Sequence, residues 1–189
     1  MQGFADHGVS EALYLGDPDG NGIEVYRDRP RAEWPYSAGH LSMDVLPLDL
    51  EELLAELNQR DNSWEGLSRE TKMGHVHLHV PYLPEAEAFY VGLLGFQVMQ
   101  RYGSGALFVS AGGYHHHIGL NTWAGVGAPP APPGAVGLRH FVVRLPDERI
   151  RSAIVGRLRA AGIALEEVDG GVLVRDPARN GLLFAVDRG

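Results

Sequence analysis

Seven of the nine histidines of this chain lie between residues 75 and 140. The first group is GHVHLHV, in which His75, His77 and His79 alternate with aliphatic residues. Because a strand directs successive side chains to opposite faces, this pattern predicts a strand with one aliphatic face and one imidazole face. Imidazole nitrogens removed from water need partners, and several convergent imidazoles suit a transition metal. The sequence therefore predicts a metal-binding pocket beside this strand.

A second group, GYHHHIGL, lies about 40 residues further along the chain, and His140 follows in LRHFVV. If residues 114–123 form a strand, Ile118 and Leu120 should face the helices. That alternation directs His115, His117 and Asn121 toward the pocket, and it directs His116 toward the helices or the surface.

The composition narrows the classes of function. The chain has 189 residues, of which 44% are hydrophobic, so it can build a core. It contains no cysteine, which excludes disulfides and thiolate zinc sites. Its formal net charge of −8 has the wrong sign for a surface that binds nucleic acid. No apolar run is long enough to span a bilayer, so we expect a cytoplasmic protein that handles a small molecule.

The chain contains an internal repeat. His75–Pro81 resembles His140–Pro146, since in each a histidine opens a predicted strand and a proline ends it. Each is followed by an amphipathic helix, which ends at Gly95 or Gly162, and then by three short strands. The repeat predicts an α+β fold with paired β-α-β-β-β modules, residues 73–123 and 138–188, forming one curved mixed sheet within a domain of residues 73–189.

The N-terminal 30 residues resemble the end of such a module. Residues 13–26 and 172–185 share the turn sequence Asp-Pro-x-x-Asn-Gly between two strands. We therefore expect residues 1–30 to be a half-module hairpin whose front half is absent. A connector with a short amphipathic helix, residues 31–72, should follow it. The apolar face of the hairpin lacks a helix of its own, which predicts a homodimer.

These motifs resemble the vicinal oxygen chelate superfamily, which includes glyoxalase I, bleomycin-resistance proteins and extradiol dioxygenases. The strings VSEALYLGDPDGNGIEVYRDRPR, GHVHLHV, FYVGLLGF and SAGGYHHHIGLNTWAG are similar to the bacillar-type catechol-2,3-dioxygenases. The resemblance covers nearly the whole chain. It implies an N-terminally truncated member, with a U-shaped sheet around a divalent metal that a substrate chelates through two adjacent oxygens.

Carried over position by position, the resemblance implies that His75, His117 and His140 bind the metal. The fourth ligand position, where the family often has glutamate, corresponds to Leu183, and the matching residue of the hairpin is Glu24. The family metal would be Fe(II), with zinc, nickel and manganese as alternatives. The roles of Glu24 and of His7 stay open.

The resemblance implies a metal-dependent, ring-cleaving dioxygenase of catechol-like vicinal diols. In that enzyme His77 and His79 would transfer protons, and His115, Asn121 and Arg144 would contact the substrate. Two alternatives remain. One is a non-catalytic small-molecule-binding protein of the bleomycin-resistance fold. The other is a glyoxalase-type lyase or isomerase, which normally uses acidic ligands that this pocket lacks.

Overall fold

The computed structural model describes residues 2–59, 64–132 and 134–186, and it divides into two compact units, Met1–Gly74 and His75–Gly189. The last residues of the predicted domain, part of the predicted connector and one residue between the two predicted modules lie outside the described residues. In the part of the chain that the structure describes, no helix has the length and apolar character needed to cross a bilayer.

The first unit contains a three-stranded antiparallel sheet in the order β1-β2-β3. Its strands are β1 (Gly3–Asp6), β2 (Ser10–Gly16) and β3 (Gly22–Asp28). Asp17 shapes the predicted turn between β2 and β3, since its Oδ1 accepts hydrogen bonds from the main-chain nitrogens of Asp19 and Asn21 at 2.9 and 2.7 Å. The first strand was not predicted, because the four residues GFAD are too few and too mixed to show an alternating pattern.

The predicted connector is also part of the first unit. It contains β4 (Tyr36–Ser37), β5 (His40–Leu41) and α1 (Leu50–Ala55), and α1 continues as a 3₁₀ turn, Glu56–Gln59. Asp49 caps α1 by accepting a hydrogen bond from the main-chain nitrogen of Glu52 at 2.9 Å. Trp34 is buried, and its indole nitrogen donates to the carbonyl oxygen of Arg29 at 2.8 Å.

The second unit contains both predicted modules. The first consists of β6 (Val76–His79), α2 (Leu83–Glu87), a π-helical segment (Ala88–Leu93), β7 (Gln97–Tyr102), β8 (Ala106–Ser110) and β9 (Ile118–Asn121). The second consists of β10 (Phe141–Leu145), α3 (Glu148–Ala160), β11 (Leu165–Val168), β12 (Gly171–Arg175) and β13 (Gly181–Val186). The α+β class and the β-α-β-β-β order are confirmed.

The strands of each module form their own sheet. The strand orders are β6-β9-β8-β7 and β10-β13-β12-β11, with the first and last strands of each module paired in parallel. The described strands thus form two four-stranded mixed sheets, where the repeat predicted one continuous sheet. The difference arises because the first strand of each module pairs only with the last strand of the same module. Strands β6 and β10 are therefore edge strands of their own sheets.

One hydrophobic core serves both modules. It joins Leu78 and Leu120 of the first sheet to Leu158 on α3 and to Leu182 and Phe184 of the second sheet. Leu120, Leu158 and Leu182 are completely buried. The predicted apolar stripes therefore meet in a shared interior.

Polar contacts also connect the modules. Tyr90, buried in the π-helical segment, donates a hydrogen bond to Oδ2 of buried Asp176 at 2.9 Å. The main-chain nitrogen and the side-chain amide of Asn180 donate to the two oxygens of the same carboxylate at 2.7 and 2.9 Å. Burial raises the pKa of Asp176 above its ordinary value, and the hydrogen bonds from Asn180 and Tyr90 oppose that rise.

A second connection is made by Arg157 on α3. Its Nε donates to the carbonyl oxygen of Leu93 at 2.8 Å, and its Nη2 donates to that of Leu94 at 3.3 Å. These carbonyls end the π-helical segment, where a helix leaves acceptors without intrahelical donors. The guanidinium therefore satisfies the helix end of the neighbouring module.

Replacing Arg157 by alanine should lower the free energy of unfolding by about 1 kcal/mol, because both charged hydrogen bonds are lost at a partly solvated site. Arg159, an exposed arginine on the same helix, is the matched control and should change stability by less than about 0.5 kcal/mol when replaced by alanine. Urea denaturation followed by circular dichroism measures both, and equal effects would contradict a specific role for Arg157.

Candidate functional site

The histidine strand has the two faces that the sequence predicts. Strand β6 pairs in parallel with β9, with His77 opposite Gly119 and His79 opposite Asn121. Leu78 is buried in the shared core, whereas His77 and His79 are exposed on the other face. The alternation therefore separates aliphatic from imidazole side chains across one short strand.

The ring of His77 lies directly over β9. A methyl group at Gly119 would come within 2.8 Å of its Cδ2, so glycine provides the space that the imidazole occupies. Phe108 contacts the same ring edge-on at a centroid distance of 5.9 Å, and Trp123 packs against it at 5.0 Å. His77 is thus held in an aromatic layer.

The segment 114–117 is not a strand, which changes the placement of its histidines. Strand β9 begins only at Ile118, so alternation does not apply before that residue. His116, which was expected to face the helices or the surface, packs against His75 at a centroid distance of 4.2 Å and against Phe108 at 5.0 Å. It does not face the helices, because Gly112 and Gly113 turn the chain through positive φ angles just before the segment.

His115 and His117 have separate environments. His115 is buried, and its Nδ1 lies 2.9 Å from Nδ1 of His116, so one of these two nitrogens carries a hydrogen that the other accepts. Nδ1 of His117 lies 2.8 Å from the hydroxyl oxygen of buried Ser110. The three consecutive histidines therefore do not share one orientation.

The predicted metal ligands can be tested against this arrangement. His140 directly precedes β10 and lies close to Gly181 at the start of β13. A Cβ atom added at Gly181 would be 3.0 Å from the Cβ of His140. Within residues 2–59, 64–132 and 134–186, no three side chains of His, Asp or Glu are placed where they could hold one ion. The assignment of His75, His117 and His140 as metal ligands, which fit a divalent transition metal by their donor chemistry, therefore stays a prediction.

The residues predicted to contact a substrate lie on three different segments of the second unit. Asn121 is buried in β9, and its side-chain oxygen accepts a hydrogen bond from the main-chain nitrogen of Trp123 at 3.0 Å. Arg144 is exposed on β10, in register with Ala185. Buried His115 is engaged with His116. Their substrate role stays a prediction.

A cleft lies beside His77 and His79. Its volume is about 440 Å³, and it is bounded by the end of β6, by the loop that follows β9 and by the turn before β13. The loop contributes Ala128, Pro129 and Pro130, and the turn contributes Asn180. The cleft is large enough for a small organic molecule.

The first unit contains a hydrogen-bonded group that the sequence did not predict. Tyr14 and Glu24 lie directly opposite each other on β2 and β3, and the Tyr14 hydroxyl lies 3.1 Å from Oε1 of Glu24. Nε2 of His7 lies 2.6 Å from the same hydroxyl and 3.9 Å from the carboxylate. The symmetric pairing around the Asp17–Asn21 turn could have identified Tyr14 and Glu24 as neighbours, but β1 was needed to place His7.

The hydrogen-bond geometry defines where the protons lie. Nδ1 of His7 lies 2.6 Å from the carbonyl oxygen of Asp44, which can only accept, so Nδ1 carries a hydrogen. In neutral His7, Nε2 is therefore a basic nitrogen facing the Tyr14 hydroxyl. Burial and the neighbouring Glu24 carboxylate raise the pKa of Tyr14, so its phenol stays protonated at neutral pH. When Nε2 of His7 is protonated, it can pass that proton to the Tyr14 hydroxyl as the hydroxyl gives its own proton to Glu24.

Comparison with known proteins places these features in a family. Residues 72–182 match the family described as the Glyoxalase/Bleomycin resistance protein/Dioxygenase superfamily. The chain is 50% identical over 177 residues to the catechol-2,3-dioxygenase of Bacillus subtilis (strain 168), a match that covers 93% of this chain and 61% of that enzyme. The chain thus spans about three fifths of the length of this relative.

Two solved structures resemble part of the chain. Lactoylglutathione lyase from Agrobacterium tumefaciens is 22% identical, covering 63% of this chain and 96% of that one, with a TM-score of 0.49. A glyoxalase/bleomycin resistance protein/dioxygenase from Alicyclobacillus acidocaldarius is 17% identical, covering 65% and 96%, also with a TM-score of 0.49. From the family match and the repeated β-α-β-β-β modules together, the chain belongs to the Glyoxalase/Bleomycin resistance protein/Dioxygenase superfamily.

Proposed function

We propose that this chain forms part of a ring-cleaving dioxygenase that acts on catechol-like vicinal diols. The observation that carries the proposal is the 50% identity to a catechol-2,3-dioxygenase over 93% of the chain. Because the chain spans 61% of that relative, the activity and the substrate are inferences for this protein.

The side chains suited to proton transfer support the proposal. Deprotonation of a diol needs a group that takes up a proton, and His7, Tyr14 and Glu24 form a hydrogen-bonded group that could do so. His77 and His79 are the alternative bases, since both are exposed beside a cleft. His115, Asn121 and Arg144 stay as proposed substrate contacts.

The family implies a divalent metal, and we propose Fe(II), with zinc, nickel and manganese as alternatives. His75, His117 and His140 are the proposed ligands by resemblance. Because the described side chains do not form a three-ligand set, the roles given above to His7, Tyr14 and Glu24 are limited to holding and transferring protons.

A reconstitution experiment tests the proposed function. The purified full chain is loaded with Fe(II) under anaerobic conditions, its bound metal is measured, and it is then mixed with catechol and air. We expect consumption of one dioxygen for each catechol and accumulation of the ring-opened product. Absence of turnover in protein that retains its folded circular dichroism spectrum would overturn the proposal.

We further propose a cytoplasmic homodimer. On the β1-β2-β3 sheet, Ile23 and Val25 lie on one face with Leu13 and Leu15, and they remain 41% and 42% exposed. Each such side chain would gain roughly 1.5–3 kcal/mol by full burial. A second copy of this sheet offers a self-complementary apolar face.

Placing charge on this face should separate the dimer. The double substitution Ile23→Glu and Val25→Glu would bury unpaired carboxylates in the interface, so we expect the mass measured by light scattering to halve. Val136→Glu, at an exposed position in the second unit, is the control and should leave the mass unchanged. A monomeric parent protein, or a double variant that stays dimeric, would contradict the proposed interface.

A further inference from the structure

We propose that Arg29 is a positioning residue for His7 and acts on it through the carboxylate of Asp6. Its role is to fix which nitrogen of the imidazole carries the hydrogen and where the other nitrogen points. The inference rests on the proposed function in one respect, since it takes His7 as a group that transfers protons. The structural part of the inference concerns the first unit alone and requires no metal.

His7 begins the short turn that connects β1 to β2. Its main-chain nitrogen donates to the carbonyl oxygen of Ser10 at 2.8 Å, which closes the turn. Gly8 has a φ angle of +74°, a left-handed conformation that favours glycine. A Cβ atom added at Gly8 would also lie 2.9 Å from the ring of Pro35. The direction in which the His7 side chain leaves the main chain is therefore set by this turn.

The carboxylate of Asp6 connects the turn to Arg29. Its Oδ1 accepts a hydrogen bond from the main-chain nitrogen of Gly8 at 2.7 Å, and its Oδ2 accepts one from Nη2 of Arg29 at 2.9 Å. Hydrogen bonds between a guanidinium and a carboxylate are stronger than those between neutral groups. Because Arg29 holds the carboxylate in this orientation, loss of its guanidinium should release the hydrogen bond to Gly8.

Arg29 is itself held at several points around the turn. Its main-chain nitrogen donates to the carbonyl oxygen of Val9 at 2.8 Å, and its Nη2 lies 3.0 Å from Oε1 of Glu11. The other oxygen of Glu11 accepts from Arg27 at 2.6 Å. Arg29 thus contacts residues before, within and after the turn, and its side chain is 33% exposed, compared with 60% for Arg27.

The main chain of Asp6 positions the acceptor on the other side of His7. Its nitrogen donates to the carbonyl oxygen of Leu46 at 3.0 Å, and its carbonyl oxygen accepts from the nitrogen of Leu46 at 2.9 Å. This pairing holds the segment in which the carbonyl oxygen of Asp44 lies 2.6 Å from Nδ1 of His7. In a free histidine the hydrogen lies mainly on Nε2. The contact with Asp44 selects the other form and leaves Nε2 facing the Tyr14 hydroxyl.

Nitrogen-15 NMR of the metal-free full chain at mildly alkaline pH tests the proposal, with His7→Gln used to assign the His7 signals. The parent protein should carry the hydrogen on Nδ1 of His7. Arg29→Gln should shift the His7 signals toward the form with the hydrogen on Nε2, because the turn is no longer held against its acceptor. Arg29→Lys keeps the cation and should restore the parent form in most molecules.

Arg27→Gln is the matched control. It removes a guanidinium from Glu11 but leaves the contact between Arg29 and Asp6, so the His7 signals should keep the parent pattern. Turnover of catechol by the iron-loaded chain should fall by at least about tenfold in Arg29→Gln, since a displaced proton-transfer group acts less efficiently. Arg27→Gln should retain the turnover of the parent.

Three results would overturn the proposal: a parent His7 with its hydrogen on Nε2, His7 signals that do not move in Arg29→Gln, or the same shift in Arg27→Gln. If circular dichroism shows that Arg29→Gln is unfolded, Asp6→Asn is measured in its place under the same criteria. That variant keeps an oxygen acceptor for Gly8 and loses the charge that attracts Arg29. The expected shift in a chain whose parent has no turnover would count only against the dioxygenase function. Turnover with unmoved His7 signals would count only against the role of Arg29.

Discussion

Replacing Asp176 by alanine is expected to lower the free energy of unfolding by about 3 kcal/mol. The carboxylate accepts hydrogen bonds from the Tyr90 hydroxyl and from two nitrogens of Asn180, and Tyr90 is completely buried. Each buried donor that loses its acceptor costs about 1–3 kcal/mol. Urea denaturation followed by circular dichroism, at constant pH, measures the change.

The matched control for that substitution is Asp176→Asn, which keeps an oxygen acceptor and nearly the same volume. We expect it to lose less than half as much stability as Asp176→Ala. If both variants are equally unstable, the charge and not the acceptor accounts for the effect. If neither is destabilised, the contact between Tyr90 and Asp176 does not stabilise the second unit.

The pH dependence of the same variant has a definite sign. Because burial raises the folded-state pKa of Asp176 above its unfolded value of about 3.9, the carboxyl loses its proton more readily in the unfolded chain. Its contribution to stability is therefore fully present below the unfolded pKa and is lost as the pH rises through the folded pKa. Asp176→Asn has no carboxyl to titrate, so its free energy of unfolding should not fall in this way. The difference in free energy of unfolding between parent and variant should therefore change between the unfolded and the folded pKa of Asp176 and be constant at pH values well above both.

If the chain has the proposed dioxygenase activity, replacing Tyr14 by phenylalanine is expected to lower the turnover of catechol by about 100-fold, which is the lower range for loss of a general acid or base. The substitution removes only the hydroxyl that lies 2.6 Å from Nε2 of His7 and 3.1 Å from Glu24. The imidazole and the carboxylate are then 3.9 Å apart without a group between them. Steady-state oxygen consumption by the iron-loaded full chain measures the effect.

Two further variants make this result specific. Tyr36→Phe alters a tyrosine of the same unit that is 61% exposed, and it should leave turnover unchanged. His77→Gln tests the alternative base of the second unit. A fall in turnover confined to His77→Gln would contradict the role proposed for Tyr14 and transfer the acid–base function to β6.

Sequence reasoning was most successful where periodicity was long. The helical segments of the two modules end at Leu93 and Ala160, close to the predicted stops Gly95 and Gly162. Both modules were recognisable because alternation, a proline stop and a glycine stop all recur at the same spacing. The π-helical segment was predicted as ordinary helix, since the apolar stripe of residues 88–94 does not distinguish the two.

The structure of short or irregular segments could not be predicted in the same way. Strand β1 has four residues, which is too few for a pattern, and without it His7 could not be placed beside Tyr14. His116 was misplaced because alternation was extended into residues that are not a strand. The sequence repeat identifies the two modules, but it does not give their relative position. Whether the side chains of His75, His117 and His140 converge depends on that position and could not be predicted.

The core shared by the two modules affects the order in which the chain folds. Tyr90 and Asp176 are separated by 86 residues, and their hydrogen bond can form only after both modules have largely collapsed. Contacts of such high sequence separation close long loops and form slowly relative to local helix and hairpin formation. Since the apolar side chains of the two modules share one core, a nascent first module exposes part of that surface until the second has left the ribosome. The interval between them is therefore the period in which this chain is most prone to aggregate.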